Sequence, residues 1–176
     1  RDPASGRIVD APGEVGELCI RGATVFEGYF GDPELTRRSF DADGFFRTGD
    51  LFAIAGPPPH RYYRFAGRNK ELVIRGGQNI SPAEVDNLVA EHPAVAEAAC
   101  VGIPDEEMGE RLCAVVVLRP NATLTLDDLK AHMQARRVAI FKWPEKLVIV
   151  TQLARSPVGK IVRRELREQA IARIAE

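Results

Sequence analysis

Hydrophobic and polar positions alternate in two different textures along this chain. From residue 1 to about 66, short apolar or aromatic runs are cut every few residues by glycine or proline: "GELCIRG", "TVFEGYF", "DLFAIAG" and "RYYRFAG". Runs of that length between such breakers predict strands. "FAIAGPPPHRYYRF" reads as a hairpin, with "GPPPH" as its loop rather than a polyproline recognition site. "DPELTRRSF" predicts one short helix behind an aspartate cap. This first region reads as a small, mostly antiparallel β unit.

From Gly67 onward, strand-like and helix-like periods take turns. "ELVIRGG" predicts a strand ending in a glycine pair. "SPAEVDNLVAEH" predicts a helix with Ser81 at its cap, Pro82 in its first turn and Glu84 completing a capping box. "AVAEAACVGI" and "RLCAVVVLRP" predict strands, the second buried on both faces. "TLDDLKAHMQARR" predicts a helix capped by threonine or aspartate, "EKLVIVTQL" a strand, and Lys160 to about Ala175 a last helix. That order predicts a compact α+β domain of about 110 residues. The expected division is residues 1–68 and 69–176, and the expected fold class is α+β.

Composition narrows the function classes. The 45% hydrophobic content supports a folded core, and a net charge of -1 gives no general attraction to nucleic acid or to an anionic membrane. No apolar run approaches the ~18 residues of a spanning helix, and "RDPASGRIVD" lacks the apolar core of a signal peptide. Cys19, Cys100 and Cys113 each sit in an apolar strand-like run, which predicts reduced, buried thiols and a cytoplasmic protein. His60, His92 and His132 stand apart, with no metal-ligand spacing.

Individual candidate sites are ambiguous. Asp50 in "RTGDL" could accept hydrogen bonds from two neighbouring hydroxyls, as on a ribose, or be a turn aspartate. Gly76 and Gly77 could admit a ligand against the backbone or form an ordinary hairpin turn. Gly159-Lys160 lacks the flanking residues of a phosphate-binding P-loop, so alone it reads as a helix start.

Read in order, "GELCIRGATVFEGYF", "DGFFRTGDL", "GRNKELVIRGGQNISPAEVDNLVAEHPAVAEAACVGIPDEEMGERLCAVVV" and "SPVGKIVRREL" change the odds. Over nearly its whole length the chain resembles the carboxy-terminal part of the acyl- and aryl-adenylate-forming enzymes. That family comprises the acyl-CoA synthetases, the adenylation domains of nonribosomal peptide synthetases, and the luciferases. The resemblance implies activation of a carboxylic acid with ATP and Mg2+ to an acyl-adenylate and pyrophosphate, followed by transfer to the thiol of CoA. It implies that residues 1–68 are the last, β-rich subdomain of a large adenylation domain and residues 69–176 a mobile small domain.

Residue by residue, the resemblance assigns Lys160 as the catalytic lysine, carried into the site while Arg163, Arg164 and Arg167 decorate a helix surface. It assigns Asp50 and Arg68 to the ribose, Lys70 to the hinge, and Gly76 and Gly77 to the pantetheine channel. Glu84 is structural in that reading. Trp143 would stack on the CoA adenine with Lys142 or Lys146 near its phosphates, or else pack at the rim of the core. Ala154 replaces a proline often found in the family, which weakens any reading of regulation by acetylation of the lysine. The phosphate loop, adenine motif, acyl pocket and most Mg2+ contacts would belong to the large domain, so this segment alone is expected to be inactive. Two alternatives stay open: an aryl acid-AMP ligase that loads a phosphopantetheinyl carrier protein, and a non-catalytic binding module of the same fold. A luciferase-type oxygenase is also compatible with the segment.

Overall fold

The computed structural model describes residues 1–56 and 62–175, and the chain separates into two units, Arg1–Lys70 and Glu71–Glu176. The expected "GPPPH" loop and His60 lie outside the described residues. The boundary falls two residues after the one expected from sequence. Among the described residues no helix is long and apolar enough to cross a membrane.

In the first unit, β1 (Val15–Ile20), β2 (Phe46–Ala55) and β3 (Tyr62–Arg68) form an antiparallel sheet in the order β1-β2-β3. The helix α1 (Pro33–Ser39) begins at Asp32, whose carboxylate accepts the Leu35 amide at 2.8 Å, as the sequence predicts. "TVFEGYF" is not a strand. Its backbone turns toward α1, where Tyr29 N donates to Thr36 Oγ1 at 2.9 Å. The Phe26 ring packs among Tyr29, Phe40 and Phe46, with centroids 5.0 to 5.9 Å apart. The ring stays partly exposed, and its contacts with the neighbouring aromatic rings take the place of an edge pairing.

The second unit is built on β7 (Gly109–Leu118). Along one edge it pairs antiparallel with β6 (Val95–Asp105). The other edge is shared: β4 (Val73–Arg75) meets it at Gly109, and β8 (Lys146–Ile149) runs parallel to it from Cys113 to Val116. The short strand β5 (Gln78–Ile80) closes a hairpin on β4.

Alternate residues of β7 supply two cores. Leu112, Ala114 and Val116 pack with Val85 and Val89 of α2 (Pro82–Ala90) and with Leu129 and Met133 of α3 (Leu126–Ala135). Cys113 and Val115 pack on the other side with Leu166 and Ala170 of α4 (Arg163–Ile174). This two-sided burial explains the unbroken apolar run "CAVVV". Each fully buried valine or leucine there contributes about 2 kcal/mol.

Caps divide the helices. Thr125 forms a full capping box with Asp128. Ser81 does not: its hydroxyl is buried without a hydrogen-bond partner among the described residues, and no capping box forms at α2. Helix α4 starts at Arg163, so Lys160 lies in a turn before the helix rather than in it.

Candidate functional site

Within the first unit, Asp50 and Arg68 are register partners across β2 and β3. Arg68 Nε lies 2.9 Å from Asp50 Oδ1 in an ion pair, with the carboxylate side chain 29% exposed. Neither geometry nor another described residue gives that buried oxygen a directional hydrogen bond. The Thr48–Asp50 stretch of β2 is braced by hydrogen bonds. Thr48 Oγ1 donates to Leu18 O at 2.7 Å and accepts the Asp50 amide at 3.1 Å. Gly49 adopts φ +74° and donates its amide to Glu17 Oε1 at 2.9 Å.

Glu17 is 5% exposed and lies 3.5 Å from Arg47. The sequence analysis passed over this acid, although a glutamate inside the apolar run "GELCIRG" was a signal. It holds the backbone of β2 one residue before Asp50. A cavity of about 340 Å³ opens at Thr48, Gly49, Arg68, Asn69 and Lys70. Arg68, which pairs with Asp50, lines this cavity, and a carboxylate of that kind can accept hydrogen bonds from hydroxyls.

In the second unit Gly76 and Gly77 form the two-residue turn of the β4–β5 hairpin, with φ +53° and +80°. Both values are left-handed, the turn geometry that suits a hairpin's twist and that glycine adopts without penalty. A Cβ at Gly77 would meet nothing within 4 Å, so the position is open.

Lys160 stands on a small backbone-tied loop. Ser156 N donates to Lys160 O at 2.8 Å, Gly159 N to Ser156 O at 2.8 Å, and Val162 N to Ala154 O at 2.9 Å. The side chain is exposed and forms no salt bridge among the described residues. Arg163 overturns the expectation that the neighbouring arginines decorate a surface. Its side chain is 19% exposed and reaches Asp86 at 2.5 Å, Glu71 at 3.0 Å and Cys100 O at 2.8 Å. Arg167 pairs with Glu110 at 3.0 Å. Arg164 alone of the three is exposed without such a partner.

Three further expectations change. Glu84 accepts Lys142 Nζ at 2.7 and 2.9 Å instead of completing a cap, and this pairing also occupies Lys142. Trp143 packs against the α2/α3 core and donates its indole N–H to Val138 O at 2.9 Å, the rim-packing alternative. His92 and His132 are not apart but in contact as tilted rings, with centroids 4.9 Å apart and planes at 59°, because α2 and α3 share one face of the sheet.

The thiols are poor nucleophiles: burial pushes Cys113 up to about 12, raises Cys100 well above its ordinary value, and raises the half-buried Cys19 as well. Among the described residues no three His, Cys, Asp or Glu could hold a metal ion.

Fold, motif order and the exposed lysine converge on one class. Residues 84–160 match the AMP-binding enzyme C-terminal domain, and the chain carries a domain of that family. Its relatives are acyl- and aryl-CoA ligases and related adenylating enzymes. The medium-chain fatty-acid–CoA ligase of Escherichia coli K12 is 40% identical over 94% of this chain and 29% of its own length. A salicylyl-CoA synthase/salicylate adenylyltransferase of Streptomyces is 41% identical over 92% of this chain and 30% of its own. ATP-bound MatB of Rhodopseudomonas palustris superposes with a TM-score of 0.86 at 36% identity, over 96% of this chain and 32% of that one. The chain thus spans about three tenths of the length of the relatives it matches.

Proposed function

We propose that this chain is the C-terminal part of an ATP-dependent carboxylic acid–CoA ligase, with Lys160 as the catalytic cation of acyl-adenylate formation. The observation that carries the reading is the contrast around Lys160. Its ammonium stands exposed on a braced loop with no carboxylate partner among the described residues, while Arg163 and Arg167 are committed to ion pairs.

In the first half-reaction a substrate carboxylate oxygen attacks the α-phosphorus of ATP and pyrophosphate leaves. Attacking oxygen and phosphate are both anionic. A compact cation placed between them stabilises the transition state more than the separated reactants. Asp50, with Arg68 beside it, would receive the ribose hydroxyls. Lys70 lies at the junction of the two units, which supports its role as the hinge about which the small domain reorients. In the second half-reaction a thiol attacks the acyl carbonyl and AMP leaves. Gly76 and Gly77 would line the approach of the pantetheine, because their turn presents backbone without side chains. Trp143 packs against the core, so only the part of its ring left outside that packing would be free for the CoA adenine.

Lys160→Ala in the full-length protein tests the reading. Acid-dependent ATP–pyrophosphate exchange should fall by about 100-fold or more, while thioester formation from a supplied acyl-adenylate stays within a few-fold. Exchange within a few-fold of wild type would instead favour a non-catalytic module. Running the second assay with CoA and with a phosphopantetheinylated carrier protein identifies the acceptor.

A further inference from the structure

Along one edge of β7 the sheet changes partner. Arg75, the last residue of β4, sits opposite Gly109, and β8 takes over where Lys146 sits opposite Cys113. Glu145 enters at that gap and donates its amide to Leu112 O at 2.8 Å. Its carboxylate joins two arginines from different strands. Arg75 Nε and Nη2 donate to it at 2.7 and 3.0 Å, and Arg111 Nη1 donates at 2.7 Å.

The linkage continues into the glycine turn. Arg111 also pairs with Asp105, whose Oδ1 accepts the amides of Glu107 and Met108 at 3.1 and 2.9 Å. Met108 O in turn accepts the Gly76 amide at 2.8 Å. Arg75, Glu145, Arg111, Asp105, Met108 and Gly76 therefore form a closed ring. Both strands of the hairpin are three residues long, and β4 meets β7 at a single register pair, so the backbone ladder alone holds it weakly. Val73 and Ile80 anchor the base of the hairpin in the core and Glu110 accepts the Ile74 amide at 2.9 Å, while the charged ring ties down its Arg75–Gly76 end. Without the Glu145 carboxylate, two guanidiniums would share Asp105 and repel each other.

We propose that Glu145 is a positioning residue that clamps Arg75 to Arg111 across the partner change in the sheet and so fixes the Gly76–Gly77 turn for thiol transfer, a role that rests on the acid–thiol ligase reading above. It touches no substrate. Adenylate formation, which uses Lys160, should proceed without it.

Glu145→Gln keeps size and removes charge, and Glu145→Asp keeps charge, so both are compared in the full-length protein. Misplacing a binding wall by about an ångström can cost up to about 100-fold. The expected result for Glu145→Gln is a loss of about ten-fold or more in thioester formation from a supplied acyl-adenylate, with ATP–pyrophosphate exchange within about two-fold of wild type. Glu145→Asp should recover part of the thiol step. A parallel fall in both half-reactions, or no change in either, overturns the proposal.

Amide hydrogen exchange over Ile74–Ile80 reads the clamp without any turnover. It should quicken about ten-fold in Glu145→Gln while β6 and β7 stay protected, and unchanged exchange overturns the clamp by itself. A wild type that forms no acyl-adenylate overturns the ligase reading and the positioning role of Glu145 with it, a result distinct from a wild type that performs both steps without the split.

Discussion

The glycine turn and the lysine turn, both in the second unit, are held by opposite means. At Gly76–Gly77, side-chain charge from three separate strand segments supplies the rigidity: Arg75, Arg111 and Asp105 around Glu145. At Lys160 the loop is tied through its own backbone and the Ser156 hydroxyl, and its side chain stays uncommitted. The difference fits the tasks proposed for them. A channel wall must be stationary and carry no side chain, so charge is placed beside it. A catalytic ammonium must keep its charge available, so the surrounding carboxylates are taken up by other cations. Arg163 is the clearest instance, since it occupies both Asp86 and Glu71 within three residues of Lys160.

Arg163→Met should disturb this contrast most. It leaves Asp86 and Glu71 unpaired in a largely buried setting, and breaking such a cluster costs about 3 kcal/mol or more. The urea midpoint of the second unit should drop accordingly, and the lysine loop should lose protection before the glycine turn does. A variant as stable as wild type would show that the backbone ties alone anchor the lysine.

A smaller effect is expected at the other turn. Gly77→Ala places a Cβ at φ +80° and should cost about 1 kcal/mol, visible in the same unfolding curves. The thiol step should slow more than adenylation. Equal slowing of both would remove the distinction between the two loops.

The smallest effect concerns neither loop and serves as a control. Burial, with the neighbouring His132 charge second, holds His92 below its ordinary value of 6.5. Asp128 opposes that shift and Arg136 adds to it. Because the folded-state value is depressed, the unfolded chain binds more protons between the two values. The His92 contribution is therefore complete above the unfolded value and is lost as pH falls through the folded one. Urea midpoints should decline modestly between about pH 8 and pH 5.5, with His92→Gln flattening the decline. A rise in stability over that range would contradict the burial of the imidazole pair.

Sequence alone revealed what short-range physics decides. The Asp32 and Thr125 caps, the glycine turn and the two-faced burial of β7 all follow from residues within one element. The failures share one cause, distance along the chain. Ser81 and Glu84 have capping-box spacing, yet Glu84 is drawn to Lys142, 58 residues away. Arg163 reads as one more basic helix residue until folding brings Asp86 to it from 77 residues upstream. "TVFEGYF" has strand composition, and its phenylalanine is recruited by Phe40 and Phe46 instead. At the site, Asp50 stood out in its own motif and Arg68 only through the family resemblance, and register makes them partners across β2 and β3. Glu17 escaped notice because its hydrogen bond to Gly49 crosses two strands.

The shared edge of β7 has an architectural consequence. A single strand, clad on both faces and flanked on both sides, acts as a keel for the second unit, with the glycine turn moored at its Gly109 end and the lysine loop tied separately through its own backbone. Loops fastened this way can be altered one at a time, in length or in charge, without exposing the interior they hang from. New acceptors or new ways of gating the lysine could therefore arise on this scaffold while its centre stays the same.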